Sequence, residues 1–371
     1  MNKILKKKVL FIIPSLRGGG SERVILNLLT HLNRKIFKPS LAVLQKEGAY
    51  LSDVPDDIEI IDLKCHRIRF SLIKIFKLII SERPDIVMTT LSHLNLSVAI
   101  LYPIFPKKIV FIARESIIPS LYINNESFTP ILRILYKQCY PNFDGIICQS
   151  SDMKNDLIKS FRIPSHKITI IHNPCDIDRI SKMIPEVQNK KLKTKIIKLI
   201  AVARLEKQKG LDLLLMAFAK LDRSRFYLTI LGQGSEEINL RKLILKYDLS
   251  DRVNLAGFKS NPYKYMAEAD LFILSSRYEG FPNVVLESMA CGTPVVAFKC
   301  PGGIDEIISD NINGFLVKNN DIHALANRIN EAANVYMDTN EIIQSIKQKF
   351  SCEKIVSKYE KFLLRNDLGN L

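Results

Sequence analysis

Two carboxylates and two cations are the residues of this chain whose spacing can do chemistry. Glu279 and Glu287 bracket the string Gly280-Phe281-Pro282-Asn283-Val284. Arg204 and Lys209 form a second group upstream, within Arg204-Leu205-Glu206-Lys207-Gln208-Lys209-Gly210. An arginine presents a planar fork of donors to phosphate oxygens, and a lysine presents a mobile point charge. A helix starting near Pro282 adds free N–H groups and the positive end of its dipole, which favour a phosphate. Both glutamates can face a ligand held there. The plain alternative is a pair of solvated glutamates at the ends of an amphipathic helix.

The elements that must position these groups are legible around them. The apolar run Asp270 to Leu274 reads as a buried parallel strand. Gly280 and Pro282 suit a loop and a first helical turn, Val284 to Ala290 a helix, Gly292 its stop, and Pro294 to Phe298 the next strand. Arg204 follows a strand over Ile196 to Ala203 and precedes a helix over Leu211 to Leu221. Further strands are expected over Phe226 to Leu231, Arg252 to Leu255 and Phe315 to Val317. Gly232-Gln233-Gly234 is expected to allow close helix packing, and Pro301-Gly302-Gly303 to make a backbone turn.

The N-terminal half repeats the alternation. Val9 to Ile13 is the first strand, Arg17-Gly18-Gly19-Gly20-Ser21-Glu22 a glycine loop open to an anionic ligand, and Arg23 to Leu32 a helix. Strands follow over Leu41 to Leu44, Glu59 to Leu63, Asp85 to Thr89, Ile109 to Ala113, Gly145 to Gln149 and Lys167 to Ile171, with helices such as Ser71 to Ser81 and Met153 to Ser160 between them. Strands alternating with helices imply an α/β chain with two Rossmann-like, doubly wound parallel sheets. Ligands then sit at the carboxyl ends of strands. Two polar clusters fall at such ends, Ser92-His93-Leu94-Asn95 and Arg114-Glu115-Ser116. His93 either contacts substrate or is a satisfied structural histidine, and Arg114 with Glu115 is expected to form a local ion pair. Pro174 marks a break. Residues 1–174 make one domain, 175–195 a polar linker, 196–350 a second domain, and 351–371 a closing helix. Asp176-Ile177-Asp178 in the linker reads as a helix-capping turn and not as a metal site.

The string from Glu279 to Glu287, with Gly292-Thr293-Pro294-Val295-Val296 after it, resembles the paired-glutamate motif of retaining GT-B glycosyltransferases of the large fourth family, the group 1 glycosyltransferases. Arg204-Leu205 with Lys209-Gly210 resembles that family's diphosphate motif, and Gly19-Gly20 with Glu22 its N-terminal Gly-Gly-x-Glu loop. With Gly302-Gly303 these make four motifs, and they keep the family's order along nearly the whole chain. The resemblance implies a GT-B fold, with two domains facing across a cleft and the last helix crossing back to the first. It implies an N-terminal acceptor domain and a C-terminal nucleotide-sugar domain. Arg204 and Lys209 would hold the diphosphate, Glu287 the ribose hydroxyls and Glu279 the donor sugar. Gly280, Phe281, Pro282, Asn283, Val284, Gly302 and Gly303 would line the donor site, with Gly19 and Gly20 closing over it and His93 as a further catalytic candidate. No protein nucleophile, metal or cofactor is implied. The donor is expected to be UDP-linked and the acceptor a surface polysaccharide or a lipid-linked oligosaccharide. A nucleotide-sugar 2-epimerase of the same fold is the alternative.

Composition sets the outer bounds. At 371 residues the chain can bury two cores. Seven cysteines with no Cys-x-x-Cys pair read as reduced, mostly buried thiols. Five apolar residues at Val9 to Ile13 are too short for a signal-peptide core, and no stretch approaches the roughly 20 needed to span a bilayer. A soluble, cytoplasmic protein is expected. The net charge is +16, and residues 1–175 hold 25 Lys and Arg against 14 Asp and Glu, leaving 29 against 24 for the rest. The excess is therefore concentrated in the N-terminal half. A basic, aromatic-rich strand pattern or reader module is absent, so nucleic acid is not the expected partner. Lys64, Arg67, Arg69, Lys74 and Lys77 instead crowd one segment. From Ser71 it becomes an apolar helix with Lys74 and Lys77 on one face, and peripheral docking on an anionic membrane is expected there.

Overall fold

The computed structural model describes residues 6–65, 71–124, 129–184 and 196–365. In chain order the first series comprises β1 (Lys7–Ile13), α1 (Gly20–His31), β2 (Phe37–Val43), β3 (Ile60–Asp62), α2 (Leu72–Glu82), β4 (Ile86–Thr90), α3 (Ser92–Leu101), β5 (Val110–Arg114), α4 (Pro119–Asn124), α5 (Thr129–Cys139), β6 (Gly145–Cys148), α6 (Ser151–Phe161) and β7 (Ile168–Ile170). The second comprises α7 (Ile177–Met183), β8 (Ile197–Val202), α8 (Leu211–Phe218), β9 (Phe226–Leu231), α9 (Glu237–Lys246), β10 (Val253–Gly257), α10 (Tyr263–Glu268), β11 (Leu271–Leu274), α11 (Asn283–Ala290), β12 (Val295–Lys299), α12 (Ile304–Ile307), β13 (Gly314–Lys318), α13 (Ile322–Ala332) and α14 (Thr339–Phe350). Helix α15 (Cys352–Leu363) closes the described chain.

Two compact units result. One takes the described residues up to Pro174 and those from Cys352 onward, and the other takes Cys175–Ser351. Each has one parallel sheet, of order β3-β2-β1-β4-β5-β6-β7 in the first unit and β10-β9-β8-β11-β12-β13 in the second. The fully buried runs of β1, β4, β6 and β11 explain why these strands lack alternation: helices cover both faces of a parallel sheet. In both units the strand order reverses beside the first strand. There β1 pairs with β4 and β8 with β11, so the loops leaving each pair diverge at the carboxyl edge, the place where open α/β sheets generally hold ligands.

The stretch expected to be a linker is in part a helix of the second unit. Asp176 caps α7 by accepting from the Arg179 N–H at 3.0 Å, and Ile180 is buried in that unit's core. Residues 185–195 lie outside the described residues. Helix α15 belongs to the first unit's core through Ile355, Val356, Tyr359 and Phe362. All seven cysteines are free thiols, six of them buried. Among the described residues no helix is long and apolar enough to cross a membrane.

Arg114 and Glu115 do not pair. They are consecutive at the end of β5, so their side chains leave opposite faces of the sheet. Arg114, fully buried, donates to the Tyr359 hydroxyl at 3.1 Å, to Thr90 Oγ1 at 3.2 Å and to Asn173 Oδ1 at 2.5 Å. It ties α15 and the last residues before Pro174 to the sheet. On the other face the buried Glu115 accepts from Ser92 Oγ at 2.9 Å and from Asn95 Nδ2 at 3.4 Å. That anchors the first turn of α3, which begins at a strained residue: Leu91 has φ +76° and ψ 130°, a region that costs a non-glycine residue about 1–3 kcal/mol.

Burial raises the Glu115 carboxyl from 4.5 to about 7, against its hydrogen bonds from Ser92 and Asn95. The folded protein thus keeps a proton there that the unfolded chain releases above pH 4.5. Stability contributed by this group is fully present below pH 4.5 and is lost as pH rises to about 7. Between those limits wild type should lose about 3 kcal/mol relative to Glu115→Gln. Urea unfolding of both proteins across the window checks it, and parallel pH profiles would refute it.

Candidate donor site

The second unit's switch point gathers the C-terminal motifs. Arg204 to Lys209 follow β8, and Ser275 to Pro282 follow its neighbour β11. The two loops are stitched together by hydrogen bonds. The Arg277 N–H donates to the Gln208 carbonyl at 2.8 Å, Gln208 Nε2 to the Tyr278 carbonyl at 2.9 Å, and Ser275 Oγ to the Lys209 carbonyl at 3.1 Å. The Arg277 guanidinium grips Asp212 through two bonds of 2.8 and 2.7 Å and reaches the Lys207 carbonyl at 2.7 Å. Burial raises the Asp212 carboxyl, but the bonds and charge of Arg277 outweigh it and hold the group below the ordinary range. Gly210, at φ +60°, permits this approach: a Cβ there would stand 2.0 Å from the Ser275 carbonyl oxygen.

Glu279 sits at the centre of this stitching. It is almost fully buried, and Lys209 Nζ lies 2.7 Å from its Oε1. Ser276 Oγ donates to the same oxygen at 2.6 Å. Oε2 takes no hydrogen bond among the described residues, so one carboxylate oxygen is anchored and the other is not. Arg204 differs from Lys209. It is exposed, and among the described residues it has no ion-pair partner.

The backbone on either side of Glu279 is held by the Pro301–Gly303 turn. The Glu279 N–H donates to the Pro301 carbonyl, and the Gly303 N–H to the Gly280 carbonyl, both at 2.9 Å. Gly302 lies 2.6 Å, measured from a notional Cβ, from the Glu279 carbonyl oxygen, which leaves no room for a side chain. Beyond it α11 starts after Pro282. A proline N-cap has no side-chain oxygen, so the first turn of α11 carries no side-chain cap. Phe281 and Val285 pack into the core, whereas Asn283 and Val284 at the helix start and Glu287 one turn further on are partly exposed. Gly232 and Gly234 serve backbone packing and not helix packing. Notional Cβ atoms would fall 1.8 Å from the Ala203 carbonyl oxygen and 2.4 Å from that of Leu205, on the loop that carries Arg204.

Gly19, Gly20 and His93 belong to the other unit, just beyond its neighbouring strands β1 and β4. Gly20 is the first residue of α1 and not part of the open loop. The Gly18 and Gly19 N–H groups donate to Glu22 Oε2 at 2.7 and 2.8 Å, so the acid closes its own loop. His93 stands half-buried on the first turn of α3, between the inward-facing Ser92 and Asn95.

Ser276 and Arg277 were not singled out in the sequence. The signal for Ser276 was present: a hydroxyl three residues before an acid in a tight turn can reach its carboxylate. Arg277 gave none, because its partner Asp212 lies 65 residues away in the chain, on the first turn of α8.

The sequence matches the family model for glycosyl transferases group 1 over residues 183–349 and that for glycosyltransferase family 4 over residues 18–179. It is 32% identical to the N-acetylgalactosamine-N,N'-diacetylbacillosaminyl-diphospho-undecaprenol 4-alpha-N-acetylgalactosaminyltransferase of Campylobacter jejuni, over 84% of this chain and 86% of that one. The chain belongs to the group 1 glycosyltransferases. Anabaena HepE, solved with UDP and with UDP-glucose, is similar in fold at a TM-score of 0.77, 21% and 20% identity in the two structures, covering 96% of this chain and 99% of that one. Sucrose-phosphate synthase of Thermosynechococcus elongatus superposes at a TM-score of 0.82 and 18% identity, over 96% of this chain and 98% of that one. These likenesses establish the GT-B fold. The family makes this glycosyltransferase an enzyme, and the epimerase alternative gains no support from it.

The two cations of the motif should behave differently when removed. Lys209→Met leaves a buried carboxylate unpaired and should lower the second unit's stability by about 3 kcal/mol. Adding Glu279→Gln should restore most of that loss, and Arg204→Ala alone should leave stability within about 0.5 kcal/mol of wild type. Chemical denaturation of the four proteins measures all three expectations.

Proposed function

We propose that this glycosyltransferase moves a hexose or N-acetylhexosamine from a UDP-sugar to a lipid-linked oligosaccharide or surface polysaccharide, with retention at the anomeric carbon and without a metal ion. The observation that carries the reading is the arrangement at the second unit's switch point. A half-anchored buried carboxylate, Glu279, has a mobile cation beside it and an exposed arginine on the same loop as that cation. The uncapped start of α11 follows it in sequence. Support for the donor comes from HepE, solved with UDP and UDP-glucose, and for the acceptor from the Campylobacter enzyme, named for a diphospho-undecaprenol substrate.

Arg204 and the α11 N-terminus receive the diphosphate, and Lys209 turns to it from Glu279. These groups stabilise the charge that grows on the leaving diphosphate as its bond to the anomeric carbon breaks. Stabilisation of developing charge by preorganised groups is where such a site lowers the barrier most. Ser276 keeps Glu279 in place when Lys209 leaves, and Glu279 Oε2 accepts a hydroxyl of the donor sugar. The Gly302–Gly303 backbone lies against the same sugar, and Glu287 takes the ribose hydroxyls. The acceptor hydroxyl attacks on the face from which the diphosphate departs, and its proton passes to the departing diphosphate oxygen. Retention follows with no protein nucleophile. Gly19, Gly20 and His93 belong to the acceptor-binding unit in this reading.

A thermal-shift screen of nucleotide sugars should show the largest stabilisation with UDP-sugars, and transfer should survive excess chelator. Arg204→Ala should weaken UDP binding at least about tenfold, the worth of one charge-assisted contact. Ser276→Ala should leave UDP affinity nearly unchanged while lowering turnover, and it should add nothing in a Glu279→Ala background. No stabilisation by any UDP-sugar, or activity that returns only with added manganese or magnesium, would count against the reading.

A further inference from the structure

The first unit carries an apolar surface that its own core does not use. Helices α2, α3 and α5 lie side by side on one face of its sheet, α2 against α3 and α3 against α5. Their inward stripes fill the core with Ile75, Leu78, Ile79, Leu94, Val98 and Tyr136. Their outward stripes should then be polar. Six isoleucines point to water instead: Ile73 and Ile80 on α2, Ile100 and Ile104 at the end of α3 and in the turn after it, and Ile131 and Ile134 on α5. Their exposure runs from 41% to 69%. Apart from Leu364, they are all the large hydrophobic residues that the described part of this unit exposes to that degree. Scattered exposed apolar residues are ordinary, whereas this concentration on three adjoining helices marks a contact surface.

The charges among these isoleucines select the partner. Lys74 and Lys77 stand on α2, Lys107 and Lys108 in the loop before β5, and Arg133 and Lys137 on α5. Across these helices and that loop the sole acid is Glu82, at the end of α2. On α2, Ile73, Lys77 and Ile80 follow one another at helical spacing, so apolar and cationic groups share one stripe. Lys74 is less available than the sequence suggested, since its Nζ donates to the Leu63 and Lys64 carbonyls at 2.7 and 3.1 Å. Arg67 and Arg69 lie outside the described residues.

We infer that the α2–α3–α5 face docks on an anionic phospholipid bilayer, with isoleucines entering the boundary between headgroups and acyl chains and lysines at the level of the phosphates. A single-signed cationic rim around branched aliphatic side chains matches that interface, because lysine stems bury carbon while their ammonium groups reach the lipid phosphates. A soluble protein partner or a second copy of this chain would need acids opposite these lysines, and this face has almost none with which to pair them reciprocally. The inference adds a lipid surface to the proposed function, and it rests on that reading only for why a lipid-linked acceptor makes docking useful.

Vesicle binding tests this without any nucleotide sugar, so it stands or falls separately from the transfer reaction. The full chain should sediment with phosphatidylcholine vesicles containing phosphatidylglycerol, bind those of phosphatidylcholine alone at least tenfold less, and lose binding as salt rises. Lys77→Glu with Lys137→Glu should weaken binding at least tenfold, since each cation near the surface is worth roughly fivefold. Ile73→Ser with Ile134→Ser should do the same, while Ile238→Ser with Leu245→Ser, exposed positions of the other unit, should not. The chain has no tryptophan. Ile134→Trp therefore supplies a single reporter, whose emission should shift to the blue on anionic vesicles only. Equal binding to neutral vesicles, no binding to either, or an unshifted reporter overturns the proposal. So does a change from dimer to monomer in the isoleucine variant without any effect on vesicles, which would identify a second copy as the occupant.

Discussion

The pairing of β11 directly beside β8 is the constraint on which the candidate donor site depends. Both strands are short, apolar and buried, and between them the chain completes two further strands on the far side of β8. That order places the Arg204–Lys209 loop and the Ser275–Pro282 loop at adjacent carboxyl ends, although about seventy residues separate them in sequence. Once adjacent, the loops lock through backbone carbonyls and the Arg277–Asp212 pair. The lock is steric as well, because glycines at 210, 232 and 302 let backbone meet backbone where any side chain would collide.

Within that frame Glu279 is held by unequal forces. A buried ion pair contributes little net stability, because desolvation cancels much of the attraction. Its value here is positional. Lys209 and Ser276 converge on one oxygen, and the carboxylate presents the other. The paired lysine and the exposed Arg204 therefore differ in what they cost to move. Arg204 is exposed, whereas moving Lys209 would break an ion pair with a carboxylate that Ser276 also holds.

The first unit uses its own switch point differently. The backbone donors of its glycine loop are consumed by Glu22, and a strained Leu91 is set over α3 by the buried Glu115 with Ser92 and Asn95. The exposed isoleucines of α2 and α5, with the cations beside them, lie on the helical layer over the sheet. In the two proposals, the anion site thus falls on the second unit and the lipid-facing surface on the first.

The sequence by itself determined the strands, because a parallel sheet covered on both faces demands uninterrupted apolar runs, and those runs end at Gly, Pro or polar clusters. It also determined that Arg204, Lys209 and Glu279 sit beside strand and helix ends and Glu287 within the helix that follows, since local spacing sets those positions. Tertiary structure alone decided which ends meet. Arg114 and Glu115 are neighbours in sequence, yet the pleat sends them to opposite faces, where one holds α15 and the other α3. Arg277 finds Asp212, and Ser276 shares an oxygen with Lys209, because β11 inserted next to β8. The stretch from Cys175 looked like linker because α7 buries little besides Ile180, too short a stripe to show periodicity. Nothing in the sequence separated the exposed isoleucines of α2, α3 and α5 from core residues, because an apolar residue carries no mark of the face it will take. Only the packing of the helices on the sheet fixed which of them remained in water.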